Sequence, residues 1–320
     1  MLRSFLIYLS KAAWAQKLVT SWGFAWRMAS RFVAGEKLED AIGAVQGLNA
    51  KGINATLDHL GEHTTTVQEA ERAADDIIKM LDRIQESGIH ANVSIKLTQI
   101  GMGMEDDVCR KNLFRILDVA RRNHNFVRID MEDTPYTDKT LALLEAARAA
   151  GFDANTVGTV LQSYLFRSVD DEKRLVAEGT KLRLVKGAYK EPPELAFPKK
   201  RDVDSNFDRM TAVALDATKA NEDSAATNGR IPPLAALGTH DPQRIDFAKA
   251  YAAKANLPKS AVEIQMLYGI RRDLQDALAK EGYPVRIYVP FGHRWYPYFM
   301  RRLAERPANI WFFVSNFFRR

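Results

Sequence analysis

The chain has 320 residues, 46% of them hydrophobic, which is enough for one large domain or two modest ones. The formal net charge is +6, but the basic residues are dispersed among 40 acidic ones, so nucleic acid is not expected as a partner. Cys109 is the only cysteine, which excludes an intramolecular disulfide and favours a reducing, cytoplasmic location. No run of about 20 apolar residues predicts a transmembrane span.

The first 35 residues contain an arginine, Arg3, and a short apolar run, as a signal peptide does. Lys11 interrupts this run early, and the apolar residues that follow recur at helical spacing. The pattern therefore favours amphipathic helices over a signal peptide.

From residue 55 onward, short apolar runs alternate with stretches of helical periodicity. Eight such units over roughly 240 residues predict an α/β fold of the (β/α)₈ barrel type, which typically needs about 250 residues. A doubly wound open sheet is the alternative. We predict an N-terminal helical arm over residues 1–50 and a barrel catalytic domain over residues 51–320. The eight predicted strands cover residues 55–62, 92–97, 126–132, 157–164, 182–189, 234–240, 262–269 and 285–292.

A parallel barrel carries its catalytic groups where the strands end. Lys96 and Asp130 each end a predicted strand. Burying a charge without a partner costs several kcal/mol, so these two side chains either pair with neighbours or meet a ligand. Both alternatives stay open on the sequence. The further polar residues near strand ends are His59, Glu62, Glu132, Gln162, Lys186, Tyr189, Thr239, His240, Tyr268 and Tyr288.

Two strand ends have features of ligand-binding turns. In "RLVKGAYKEPPE", Arg183 and Lys186 fall on opposite faces of the strand, and Gly187 allows close approach of a flat or phosphorylated ligand. In "GTHDP", Asp241 is predicted to cap a helix that begins at Pro242. That helix start suits a phosphate, although a simple cap beside a solvated histidine explains the motif equally well. No metal-ligand spacing and no nucleophile elbow occur in the chain.

The segment "YPYFMRRLAERPAN" predicts a helix from about Pro297. On it, Tyr298, Arg301, Arg302 and Glu305 share one broad face. The two arginines, oriented by Glu305, can hold a carboxylate or phosphate in a partly desolvated, aromatic pocket. A surface ion pair worth a few tenths of a kcal/mol is the alternative.

The longest segment between predicted strands runs from residue 190 to 233 and begins with a stretch rich in proline and charge. We predict a mobile loop over the barrel mouth there.

Taken together, these motifs resemble proline dehydrogenases. The likeness runs in order from "FVAG" and "LDHLGE" through "SIKLTQIG", "RIDMED", "LQSYL", "RLVKGAY" and "GTHD" to "RIYVPFGHRWYPYFMRRLAERPAN". It implies a distorted (β/α)₈ barrel with non-covalent FAD at the strand ends and a final helix across the mouth. It also implies oxidation of L-proline to 1-pyrroline-5-carboxylate, the first step of proline catabolism to glutamate.

The resemblance also implies roles for individual residues. Asp130 and Arg183 correspond to active-site groups, with Arg183 near the reactive flavin nitrogen. Lys96, Arg301 and Arg302 correspond to ligands of the proline carboxylate, and Glu305 to the support of the arginine pair. The residues implied to pack on the proline ring are Leu267, Tyr288 and Tyr298. Those implied to contact FAD are Met131, Gln162, Arg183, Lys186, Gly187, Ala188, Thr239 and His240.

Two positions depart from the family pattern, Lys190 where many members have tryptophan and Asp241 where many have asparagine. The resemblance implies electron transfer to a membrane quinone and release of the product to a separate pyrroline-carboxylate dehydrogenase, because no second domain is expected in this chain. The aromatic N-terminal arm and residues 309–320 either touch the inner face of the membrane or pack in the core. A flavoenzyme for another cyclic amine and a basic, non-enzymatic scaffold are the competing hypotheses.

Overall fold

The computed structural model describes residues 8–10, 12–20, 23–61, 64–104, 106–220 and 229–305. The helices described between residue 12 and the first strand are α1 (Ala13–Thr20), α2 (Gly23–Ala29) and α3 (Leu38–Asn49). Helix α3 buries Ala41, Ile42 and Val45 in the same core as the strands that follow. The predicted domain boundary at residue 50 stays a prediction.

The described part of the chain contains eight strands that form a closed parallel barrel in sequence order. The barrel closes between the first strand and the last, where Asn54 pairs with Arg286 and His59 with Phe291. Each predicted strand is confirmed within a few residues, and the open sheet is excluded. The strands are β1 (Asn54–His59), β2 (Ala91–Ile95), β3 (Val127–Ile129), β4 (Val157–Gln162), β5 (Leu182–Val185), β6 (Ala235–Gly238), β7 (Val262–Leu267) and β8 (Val285–Phe291).

Helices surround the barrel, and the first of them, α4 (Val67–Ser87), illustrates the sequence features that begin and end a helix. Thr66 caps α4 by accepting a hydrogen bond from the backbone N–H of Glu69, and the helix ends at Gly88, whose φ of +64° suits glycine. Its buried residues recur three and four positions apart and face the barrel. These helices are α4 (Val67–Ser87), α5 (Asp106–Arg122), α6 (Thr134–Ala149), α7 (Ser168–Ala177), α8 (Lys200–Lys219), α9 (Pro242–Lys254), α10 (Arg272–Lys280) and α11 (Trp295–Glu305).

The two faces of the barrel strands differ in polarity. Ala55 and Leu57 of β1 belong to the hydrophobic core that the strands share with the surrounding helices. The alternate residues of β1 are polar, and Thr56 donates a 2.6 Å hydrogen bond to Asn92 on β2. Because successive side chains of a strand point to opposite faces, the polar set lines the inside of the barrel. The inside of the barrel therefore offers hydrogen-bond partners to buried charged side chains.

A second hydrophobic cluster joins the N-terminal arm to the last helix. Phe32, which follows α2, packs against Phe299 of α11, and Trp26 of α2 packs against Trp295 with ring centroids 5.4 Å apart. Leu60, directly after β1, belongs to this cluster. Helix α11 therefore lies at the carboxyl end of the barrel, held there by the arm.

The segment from residue 190 to 233 differs from the predicted long loop. Its central part, residues 200–219, is helix α8, which buries Phe207 and Met210 in the barrel core. The stretch before α8 is also anchored, because Glu191 accepts hydrogen bonds from the backbone and side chain of Thr134 at the start of α6. The prediction of one mobile loop was wrong for residues 200–219, because proline and charge at the start of the segment concealed an amphipathic helix. Residues 221–228 lie outside the described part.

In the part of the chain that the structure describes, no helix combines the length and the hydrophobicity that crossing a membrane requires.

Candidate active site

Lys96 lies at the centre of a polar cluster inside the barrel, one residue beyond β2. Its ammonium nitrogen is 3.4 Å from both carboxylate oxygens of Asp58, 3.5 Å from Asp130 and 3.3 Å from the hydroxyl of Tyr288. Only 14% of the Lys96 side chain is exposed. Lys96 is thus paired with Asp130, which is one of the two alternatives that the sequence left open, and both side chains are largely shielded from solvent.

Asp130 follows β3 and has several polar contacts. It accepts hydrogen bonds from Ser94 at 2.6 Å and from the Tyr288 hydroxyl at 3.0 Å, and it lies 3.3 Å from Arg183. Burial alone would raise the pKa of Asp130, but Arg183 and Lys96, with these hydrogen bonds, lower it below its ordinary value. Asp130 is therefore a fixed negative charge.

Asp58 was missed by the sequence reasoning. It lies on β1 next to the strand-end residue His59, with 2% of its side chain exposed. Burial raises the pKa of Asp58, because Lys96 and the hydroxyl of Tyr288 only partly offset the loss of water. The alternation of Asn54, Thr56 and Asp58 with apolar residues in "NATLDH" was the available signal. His59 itself stacks on Phe291.

Arg183 joins the cluster from β5. Its guanidinium donates a 2.9 Å hydrogen bond to Ser94 and lies 5.4 Å from the centre of the Tyr288 ring. Its Nε is buried and has no hydrogen-bond partner among the described residues. Burial raises the pKa of Tyr288 well above its ordinary value, so that residue is a neutral hydrogen-bond donor. The structure thus brings together Lys96, Asp130, Arg183 and Tyr288.

Lys186 and Asp241 form a second charged group at the ends of β5 and β6. The Lys186 ammonium is 2.5 Å from Asp204 and 2.6 Å from Asp241. Asp241 also caps α9 by accepting a hydrogen bond from Gln243, which confirms the predicted cap. The carboxylate of Asp241, one of the two departures from the pattern that the sequence resembles, therefore has a cation as its partner.

The remaining residues with predicted cofactor roles border the same strand ends. Gly187 has a φ of +116°, and a Cβ there would lie 2.5 Å from the ring of Tyr164, so no other residue fits without movement. His240 accepts a 2.9 Å hydrogen bond from the backbone of Leu267, so it is not a merely solvated side chain. Gln162 and Met131 are buried, Thr239 accepts from the backbone of Asp241, and Ala188 is exposed.

Helix α11 begins at Trp295, two residues before the predicted start at Pro297. Tyr298 is buried, and the guanidinium of Arg302 lies 5.1 Å from its ring centre. Arg301 and Arg302 are both half-buried, which disfavours the alternative of a fully exposed surface pair. The predicted support by Glu305 concerns a side chain outside the described atoms.

Below this cluster the barrel contains a fully buried ionic layer. Arg286 on β8 pairs with Glu263 on β7 at 2.9 Å, and neither side chain has exposed surface. Arg128 on β3 donates a 2.7 Å hydrogen bond to the carbonyl of Thr159. Separating the partners of a buried pair would leave an uncompensated charge, which is costly. These side chains are therefore held in place beneath the cluster around Lys96.

Known proteins with similar sequences point to the same kind of barrel. The site, polar and charged at the carboxyl ends of parallel barrel strands, is of the kind that barrel enzymes use. The family model described as proline dehydrogenase matches residues 41–314. A proline dehydrogenase of Deinococcus radiodurans is 43% identical over 294 residues, covering 91% of this chain and 90% of the relative. Proline dehydrogenase 1 of Bacillus subtilis subsp. natto is 38% identical, covering 99% of both chains.

Among solved structures, that of proline utilization A (PutA) from Bdellovibrio bacteriovorus, inactivated by N-propargylglycine, matches with a TM-score of 0.79 at 25% identity. The match covers 89% of this chain and 33% of that one. The family match and the near-full-length relatives together show that the chain belongs to the proline dehydrogenase family.

Proposed function

We propose that the chain oxidises L-proline to 1-pyrroline-5-carboxylate with FAD as a non-covalent cofactor. The observation that carries the proposal is the cluster that Lys96 and Asp130, directly after β2 and β3, form with Arg183 on β5 and Tyr288 on β8. It combines fixed cations with a ring wall, as a small amino acid with a carboxylate requires.

Substrate binding rests on charge. Lys96, Arg301 and Arg302 hold the proline carboxylate, since two or three cations fix both the position and the orientation of a carboxylate. Tyr288, Tyr298 and Leu267 shape the space for the ring methylenes. The half-burial of both arginines supports this assignment, because a partly desolvated guanidinium binds a carboxylate more strongly than an exposed one does.

The ends of β4, β5 and β6 suit a flavin. Arg183 has a buried Nε without a partner among the described residues, and Gly187 brings backbone close to the site without a side chain. FAD contacts are assigned to Met131, Gln162, Arg183, Lys186, Gly187, Ala188, Thr239 and His240. A flavin held by these residues would supply the acceptor for a hydride from the carbon next to the proline nitrogen. The protein orients the ring, excludes water and accepts the amine proton.

The electrons pass from the enzyme to a quinone at the inner face of the cytoplasmic membrane, where the protein associates peripherally. The product passes to a separate pyrroline-carboxylate dehydrogenase. Support comes from the aromatic arm around Trp14, which is 61% exposed and thus free to meet an interface. The second predicted contact, residues 309–320, lies outside the described part of the chain.

The purified protein tests the proposal directly. It should be yellow, or become so on incubation with FAD, and FMN should bind more weakly because it lacks the adenylate. Activity should be highest with L-proline and lower with hydroxyproline and pipecolate. A colourless protein that does not take up FAD would contradict the cofactor assignment, and a preference for pipecolate would replace proline by another cyclic amine.

A further inference from the structure

Asp58 is a buried carboxylate to which the proposed binding of proline gives no role. Both of its oxygens lie 3.4 Å from Lys96 Nζ, the atom assigned to the substrate carboxylate. The titratable groups that face Asp58 are Lys96 from the end of β2, Asp130 from the end of β3 and Tyr288 from β8. The ammonium group of Lys96 thus lies between Asp58 and the proposed position of the substrate carboxylate.

The two carboxylates beside Lys96 have unequal support. Asp130 is paired with Arg183 as well as Lys96 and accepts a hydrogen bond from Ser94. Asp58 has Lys96 as its cation, and the nearby hydroxyl of Tyr288 also lowers its pKa, but that hydroxyl donates its proton to Asp130. Any anion that draws Lys96 toward itself therefore deprives Asp58 of its counter-charge, whereas Asp130 retains Arg183.

Proline oxidation requires such an acceptor. The substrate arrives as a zwitterion with a protonated secondary amine, and the nitrogen needs a free electron pair before it can form the C=N bond. One proton must therefore leave the nitrogen before the hydride leaves the adjacent carbon. Binding of the carboxylate at Lys96 adds negative charge beside Asp58 at the same moment, which favours a protonated Asp58.

We propose that Asp58 stores the amine proton of proline, delivered through Lys96 as the substrate binds. The N–H bond of the substrate ammonium breaks with its electron pair left on nitrogen. Lys96 takes that proton and gives one of its own to Asp58, where an O–H bond forms, so charge and electrons balance. Asp58 acts through Lys96 and is a positioning residue. This inference rests on the proposed function.

The electrostatics of the free site agree with this assignment. Burial raises the pKa of Asp58, while Arg183 and Lys96 hold the pKa of Asp130 low against its own burial. When two neighbouring carboxyl groups are shifted in opposite directions, the one with the raised pKa is the proton carrier.

The first test is the pH dependence of kcat/KM for L-proline in the flavin-loaded wild type, Asp58→Asn and Asp58→Glu. In the wild type, kcat/KM should be level wherever Asp58 is ionised and proline is a zwitterion. In Asp58→Asn the enzyme has to select proline already deprotonated in solution, so kcat/KM should rise about tenfold per pH unit through neutrality. Asp58→Glu should restore the level region. An equal loss at every pH in Asp58→Asn would overturn the proposal, because it indicates only support of Lys96.

A second measurement needs no turnover. Cyclopentanecarboxylate has the ring and carboxylate of proline without the amine, so its binding should draw the missing proton from solution. Calorimetry at pH 8 in buffers of different ionisation enthalpy should show uptake of about one proton by the wild type and none by Asp58→Asn. No uptake by the wild type, or no binding at all, would overturn the proposal. If Asp58→Asn fails to fold, the number of protons that the wild type takes up decides the test alone. Absence of proline oxidation by the wild type would instead contradict the proposed function.

Discussion

The hydroxyl of Tyr288 donates a 3.0 Å hydrogen bond to Asp130 across the inside of the barrel. These residues belong to β8 and the end of β3, which are not neighbours in the sheet. The contact therefore fixes the width of the site between two separate parts of the barrel. A site held in this way is organised before the substrate arrives, which reduces the cost of ordering it on binding.

Replacement of Tyr288 by phenylalanine keeps the ring and removes the hydroxyl that contacts Asp130 and Lys96. Hydrogen bonds to charged groups contribute about 1.5–3 kcal/mol, so kcat/KM for proline should fall roughly tenfold or more, with flavin content unchanged. Tyr251→Phe is the matched control, because that hydroxyl contacts Asp216 outside the barrel. Steady-state kinetics of both variants measure the difference, and wild-type kinetics in Tyr288→Phe would contradict the role of the hydroxyl.

The arginine pair on α11 should govern substrate affinity. Arg301→Met and Arg302→Met each remove one of the cations that we propose as ligands of the proline carboxylate, so proline should bind roughly tenfold more weakly or worse, while flavin content stays intact. Arg121→Met is the control, since Arg121 lies on α5, outside the barrel, over the ring of Phe152, which follows the end of α6. Affinity is followed by the flavin spectrum. Loss of flavin with unchanged proline affinity would show that the arginines serve the cofactor instead.

Lys186 should serve the cofactor. Lys186→Met should weaken FAD binding by roughly tenfold, the effect of one charge-assisted hydrogen bond, without unfolding the barrel, because Asp204 keeps Lys200 and Arg244 as partners. Lys200→Met removes the exposed lysine that shares Asp204 and is the matched control. Apoprotein titrated with FAD gives both dissociation constants. Equal FAD affinity in the two variants would remove Lys186 from the cofactor site.

Glu172 on α7 should make stability fall with rising pH. It is fully buried, neither oxygen has a hydrogen-bond partner among the described residues, and burial raises its pKa to about 9. Because the pKa of Glu172 is higher in the folded state than in the unfolded state, its contribution to the free energy of unfolding is fully present below the unfolded pKa near 4.5. That contribution is lost as the pH rises toward 9. The loss is at most about 6 kcal/mol from the size of the shift.

Glu172→Gln should therefore be more stable than wild type at pH 8, with a flatter dependence of unfolding free energy on pH. Urea denaturation between pH 5 and 9 measures this, with exposed Glu178→Gln, just past the end of α7, as the control. Parallel curves for Glu172→Gln and wild type would mean that the carboxyl group is solvated or paired in solution.

The elements of this fold could be predicted because hydrophobic periodicity is local. All eight strands follow from short apolar runs, and α11 from spacings of three and four residues. Lys96 and Asp130 could be chosen because they end strands, where barrel sites lie. Helix α8 was missed, because the proline-rich stretch before it is typical of a loop. In the structure that stretch is anchored, since Glu191 accepts a hydrogen bond from the backbone of Thr134.

The interior charges were harder to predict. Arg128, Glu263 and Arg286 are each the one charged residue of a mostly apolar strand, and their burial depends on partners from other strands. Which interior charges meet is decided by the register and closure of the sheet, which no local pattern specifies. Asp58 was missed for the same reason, although its alternation with Ala55 and Leu57 indicated the face.

Anaerobic titration of the flavin-loaded protein with L-proline tests the central claim most directly. The cluster around Lys96 and Asp130, together with the arginines of α11 that we propose as carboxylate ligands, should bind proline and allow it to reduce the flavin. Stepwise bleaching of the yellow absorbance, complete near one proline per flavin and absent with D-proline, is the predicted result. A flavin that stays oxidised under excess L-proline would contradict the account.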